Sequence, residues 1–157
     1  MAERNFDQEL NELLAGEKKL AEILDLDEDR ISLLAELAYM YFNEGRYVEA
    51  RTLFEGLLSL NPQNPYYSHA LGAVLQRMEE NSLSARYYQH ALKLNPSLPE
   101  AWGNYGELLL TDNQVEQALE CFEKAEALYA RLDPGSKKRK RILALMKCYG
   151  KSASRVQ

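Results

Sequence analysis

Four carboxylates stand at the spacing of a calcium loop. Asp25, Asp27, Asp29 and Glu36 fill positions one, three, five and twelve of a twelve-residue EF-hand pattern, which needs oxygen ligands at those places. The sixth position, where glycine makes the sharp turn, is Arg30, and the residues from Ile31 to Glu36 already carry helical periodicity. The carboxylates therefore read as a solvated acidic linker whose Asp29 caps the next helix, and no metal is expected. The other candidates for ligand or nucleophile are His69, His90, Cys121 and Cys148. Two histidines and two cysteines so scattered fit neither zinc-ligand spacing nor a disulfide framework. Buried or rim thiols in a reducing, cytoplasmic compartment are the expectation. With no nucleophile motif and no glycine-rich phosphate loop, the residues predict a protein that is not an enzyme and takes no cofactor.

A second chemical feature is the basic run Lys137-Lys138-Arg139-Lys140-Arg141, which suits either a nuclear address or contact with an anionic surface. As the first turn of a helix it opposes the helix dipole, so a contact role competes with simple solvation. Residues 136 to 157 hold eight basic side chains and no acidic one, so the net charge of −5 leaves −13 on residues 1 to 135. An acidic body repels phosphate backbones, which argues against nucleic acid as the main ligand. No stretch approaches eighteen apolar residues and the first residues lack a basic-then-apolar pattern, so neither a membrane span nor a secretory signal is expected.

The elements that position these groups come from an internal repeat. Leu60-Asn61-Pro62 recurs as Leu94-Asn95-Pro96, a period of 34, and counting from the prolines starts units at Ile31, Pro65 and Pro99. Positions seven and eight then read Leu37-Ala38, Leu71-Gly72 and Tyr105-Gly106. Positions twenty, twenty-four and twenty-seven read Ala50, Phe54, Leu57; Ser84, Tyr88, Ala91; and Ala118, Phe122, Ala125. Each unit carries two apolar stripes of helical period, parted by turn residues such as Asn43-Glu44-Gly45 or Thr111-Asp112-Asn113. Small residues at positions eight and twenty let two helices approach, and the aromatic at twenty-four fills space between units.

This pattern resembles the tetratricopeptide repeat over residues 31 to 132. It predicts an all-α, right-handed solenoid of three helix-turn-helix repeats, at 31–64, 65–98 and 99–132. An N-terminal helical segment and acidic linker (1–30) precede them, and a C-terminal capping helix (133–150) and a tail (151–157) follow. The expected repeat helices are 31–43, 47–60, 65–78, 81–94, 99–111 and 115–132, the last prolonged because Ala130 replaces the terminating proline. Ser136 can cap the final helix, whose Ile142, Leu145, Met146 and Tyr149 share one face. A complete fourth unit is excluded, since Arg139 and Lys140 would fall at its seventh and eighth positions. Phe6, Leu10, Leu13, Leu14, Leu20, Ile23 and Leu24 form a further helical stripe, interrupted at Ala15-Gly16.

In such a stack the first helices line the concave side, so positions two, five, nine and twelve present one stripe to a ligand. The candidate peptide-binding residues on it are Ala35, Tyr39 and Phe42, then Tyr66, His69, Ala73 and Gln76, then Glu107 and Leu110. Small residues beside aromatics make pockets for apolar anchors, with Phe42 and Leu110 also suited to packing between first helices. The carboxylate-clamping co-chaperones of the repeat family differ here, needing cationic or amide residues where this chain has Ala35, Tyr39 and Ala70.

The whole layout resembles a narrower family, the class II chaperones of bacterial type III secretion. Leu37-Ala38-Tyr39, Phe42, Gly45-Arg46-Tyr47 with Glu49-Ala50, and Leu71-Gly72-Ala73 with Gln76 and Met78 look like that family's first two repeats. The resemblance implies a cytoplasmic chaperone that holds a hydrophobic translocator protein before export, groove aromatics at Tyr39 and Phe42, and a homodimer through the N-terminal helices. The alternative is a tetratricopeptide adaptor that scaffolds an assembly and shields no client.

Overall fold

The computed structural model describes residues 25–153 continuously, with Gln8, Glu12, Ala15 and Glu22 before them and side chains as far as Gly150. The N-terminal stripe from Phe6 to Leu24, and any dimer contact through it, lies outside the described residues. Residues 25–153 form seven helices and no strand: α1 (Glu28–Asn43), α2 (Tyr47–Leu60), α3 (Pro65–Arg77), α4 (Asn81–Leu94), α5 (Pro99–Thr111), α6 (Val115–Leu132) and α7 (Lys137–Ala153). The chain divides into two compact units, residues 1–62 with α1 and α2, and residues 63–157 with α3 to α7.

The repeat helices lie where the periodicity puts them, within three residues. The largest difference is the start of α1, where the N-cap is Asp27 and not Asp29. The Asp27 carboxylate accepts the Arg30 N–H at 2.8 Å, which satisfies one of the unpaired amides of the first turn. Asp29 and Glu36 consequently lie inside α1 while Asp25 and Asp27 precede it, so the calcium-loop spacing runs from a turn into a helix. Asn64 does the same for α3, its side-chain oxygen accepting from the amides of Tyr66 and Tyr67, with Pro65 preset for the first turn.

The turn inside each repeat is the same backbone device three times. Gly45, Glu79 and Asn113, spaced by 34, all take positive φ, at 78°, 63° and 59°. The next amide in each case, of Arg46, Glu80 or Gln114, donates back to the carbonyl of Tyr41, Leu75 or Leu109 at 2.9 Å. This closes the first helix with a left-handed residue, which glycine and asparagine adopt at little cost and glutamate does not.

Packing explains the small residues at position eight. A Cβ on Gly72 would sit 2.8 Å from the Tyr88 ring, and one on Gly106 2.6 Å from the Phe122 ring. The position-24 aromatics thus lie over the small residue of their own unit, and Tyr88 also reaches forward to Tyr105, with ring centroids 6.4 Å apart. Ala38, Ala50, Phe54, Tyr88, Ala118 and Phe122 are fully buried. Ser84 is buried as well, its hydroxyl donating to the Gly72 carbonyl at 2.7 Å so that no polar atom is orphaned.

The extra turn of α6 ends at Asp133-Pro134, and α7 then packs back on α6. Ser136 Oγ accepts the Lys138 amide, Ile142 is buried, and Leu145 and Met146 are half-buried against the α5/α6 core, while Tyr149 is exposed. The basic run is largely spent within the unit. Arg139 forks onto Glu126 at 2.7 and 3.1 Å, Lys138 reaches Glu100 at 3.3 Å and Arg141 reaches Glu107 at 2.8 Å. No helix among the described residues is long and apolar enough to cross a membrane.

Candidate peptide-binding face

In the first unit, α1 carries Ala35, Tyr39 and Phe42. Tyr39 is 42% exposed and presents one side to solvent while its ring meets Phe54 edge-on, with centroids 5.1 Å apart. Phe42 is half-buried and leans on Tyr47 of α2 at 5.9 Å. Ala35, also half-buried, leaves space one turn before Tyr39. Phe42 therefore both packs within its unit and borders the stripe.

In the second unit, Tyr66 opens α3 and is 54% exposed, the most accessible aromatic among the described residues. His69 and Gln76 lie deeper and are committed to a polar network that the sequence reading missed. The Asn104 amide of α5 is 3.0 Å from His69 Nε2, and the Tyr88 hydroxyl donates to Gln76 Oε1 at 2.7 Å. Burial pushes the His69 pKa down to about 4, with the charge of Glu100 opposing and that of Lys138 assisting. The imidazole is neutral at pH 7, Nε2 accepts from Asn104 and Nδ1 keeps its proton. Burial likewise raises the Tyr88 phenol above its usual range, so it stays a donor. Ala73 is half-buried between these groups, Leu110 is half-buried against the α5/α6 core, and Glu107 is paired with Arg141. Asn104 carried a signal that could have found it, an amide one residue past the ligand-facing fifth position. The partnership of Arg141 with Glu107 had none, because it depends on how far α6 runs before α7 turns back.

A pH dependence follows. An unfolded histidine titrates near about 6.5, so between that value and about 4 the unfolded chain binds a proton that native His69 refuses. Stability contributed by this group is complete above about pH 6.5 and falls as pH drops towards 4, by about 3 kcal/mol at most. Urea midpoints at pH 7 and pH 4.5 should therefore differ more in the parent chain than in His69→Gln. Carboxylates titrate in both proteins and cancel in the comparison.

One pair resembles a catalytic dyad. Ser68 Oγ lies 2.9 Å from His90 Nδ1, but Ser68 is fully buried, so no substrate carbonyl can reach its hydroxyl. Cys121 is also buried, and its thiol pKa is pushed up to about 11 by burial, away from nucleophilic chemistry.

Profiles of the tetratricopeptide repeat match residues 11–74 and 87–120. The human tetratricopeptide repeat protein 7A is 33% identical over 87 residues, which are 55% of this chain and 10% of that protein. Chaperone protein SicA of Salmonella dublin is 29% identical over 106 residues, covering 66% of this chain and 63% of SicA. The chain spans only a tenth to a fifth of the first four curated relatives it matches. Among solved structures, the type III secretion translocator chaperone SycD of Yersinia enterocolitica superposes with a TM-score of 0.77 at 21% identity, over 83% of this chain and 98% of that one. SycD has also been solved with a peptide of the translocator YopD. The chain is a tetratricopeptide repeat protein, an all-α fold of a family whose repeats are non-catalytic binding scaffolds. Within that class its fold is that of the type III translocator chaperones.

Proposed function

We propose that this protein is a cytoplasmic chaperone that holds an apolar segment of a secreted translocator protein against its first helices. The observation that carries the reading is the exposure of Tyr39 and Tyr66, at 42% and 54%, on the ligand-facing stripes of their units, while the aromatics at position twenty-four are sealed in the core. Exposed aromatics beside alanines offer apolar surface to a client side chain. The likeness to SicA and SycD, and the YopD peptide bound to the latter, supports a translocator segment as the client class.

Tyr39 and Phe42 lie three residues apart on α1 and can bracket one side chain of the client. Filling such a pocket with a leucine is worth about 1.5–3 kcal/mol before ordering costs, so losing it exceeds the 1.4 kcal/mol of one decade in affinity. Tyr39→Ala combined with Phe42→Ala is expected to weaken client binding at least about tenfold with helicity retained. The check is calorimetry and circular dichroism on the double variant, with a translocator first identified as one that becomes soluble on co-expression. Unchanged affinity with intact helicity would move the client off this face and favour the adaptor reading.

A further inference from the structure

The ligand-facing stripe does not end with the third repeat. As α5 packs on α4 and touches α3 through Asn104 and His69, so α7 packs on α6 and touches α5 through Lys138, Arg141 and Ile142. The residues of α5 that they meet are Glu100, Gly103 and Glu107, which are its ligand-facing positions two, five and nine. Inside the second unit α7 therefore stands as one more inner helix, and its inner edge is cationic.

The charges do not cancel there. Glu100 and Glu107 face Lys138 and Arg141, whereas Lys137 and Lys140, both exposed, make no ion pair among the described residues, and α7 has no carboxylate of its own. Everything before residue 136 carries −13. Within the second unit, an acidic group on a bound segment is repelled by residues 63 to 135, which hold ten carboxylates against five cations, and attracted at α7. Leu110 and Leu145, one helical turn past Glu107 and Arg141 of the ion pair, are half-buried against the α5/α6 core. The exposed aromatic of α7 among the described residues, Tyr149, stands nine residues past Lys140, too far along the helix to stack a base held there, and an extended polyanion would also meet the carboxylates of this unit.

We propose that the cationic start of α7, with Lys137 and Arg141 at the register of ligand-facing positions five and nine and the exposed Lys140 next to them in the helix, is a second recognition element that takes an acidic stretch adjoining the apolar anchors of a protein segment. The inference rests on the binding-face reading above and adds a polarity to it within the second unit, where the acidic end lies at α7.

The test uses the full chain and two fluorescent peptides of about fifteen residues, with leucines spaced by three and four residues and three glutamates or three glutamines at one end. The glutamate peptide is expected to bind at least about fivefold tighter at low salt, with the advantage gone near 0.5 M salt, where screening is short-ranged. Lys137→Gln with Lys140→Gln, neither of which breaks an ion pair, should remove most of that advantage and leave the glutamine peptide unaffected. Equal binding of the two peptides overturns the proposal while leaving the apolar reading in place. Binding of neither overturns both. Phosphatidylserine vesicles or single-stranded RNA displacing the glutamine peptide as readily as the glutamate one would assign the cations to a general polyanion surface and overturn it as well.

Discussion

Replacing Gly106 by alanine is expected to destabilise the second unit by about 3 kcal/mol, although alanine is the better helix former by about 1 kcal/mol. A Cβ at this position would lie 2.6 and 2.8 Å from the Phe122 ring and 3.2 Å from the Ala118 carbonyl oxygen. The ring is fully buried in the cluster of Leu109, Ala118, Cys121, Ala125 and Tyr129, so it cannot retreat without moving α6. Overpacking of that kind costs more than the helix propensity returns, which settles the sign. Gly56 of α2 makes the control, since nothing lies within 4 Å of a Cβ there and the position is exposed. Gly56→Ala should raise stability by up to about 1 kcal/mol. Shrinking the ring tests the mechanism. Phe122→Leu alone leaves a cavity, but combined with Gly106→Ala it should cost less than the two single changes together by about 1 kcal/mol or more. Urea denaturation of the four second-unit proteins measures the coupling, and strictly additive losses would show that the glycine is not required by the ring.

The helices were legible because their signals are local. Period, proline position and small residues at eight and twenty depend only on neighbours in the chain, and three copies in phase average out the exceptions. The N-cap of α1 was misplaced by two residues because Asp27 and Asp29 are chemically equal candidates, and only the backbone geometry decides which carboxylate reaches the amide of Arg30. The candidate face was legible as a stripe of positions but not as a set of interactions. Tyr39 and Tyr66 proved exposed, whereas His69, Gln76 and Glu107 are engaged with Asn104, Tyr88 and Arg141. Those partners come from other helices, at separations that the 34-residue period does not constrain. The basic run shows the same limit, since its solvated and contact readings differ only in whether Glu100, Glu107 and Glu126 come within reach of α7.

Deleting residues 136 to 157 is expected to cost about 4 kcal/mol or more and to cause association of the truncated chain. The deletion uncovers the α6 face that buries Ile142 and half-buries Leu145 and Met146, and it leaves the carboxylates of Glu100, Glu107 and Glu126 without their cations. These two losses are unequal. A fully buried isoleucine is worth about 1.5–3 kcal/mol and the half-buried pair adds to it, whereas an exposed ion pair contributes about 0–1 kcal/mol. Only the Arg139–Glu126 fork, with both side chains about a quarter exposed, should reach the top of that range. Ile142→Ala should therefore reproduce more of the loss than Lys138→Gln and Arg141→Gln together, and added salt should change the melting temperature of the intact chain little. Sedimentation and thermal melts on the truncated and substituted chains separate the terms. If the shortened protein stays monomeric and melts with its parent, α7 does not seal the end of the stack, and its cations are left with recognition as their use.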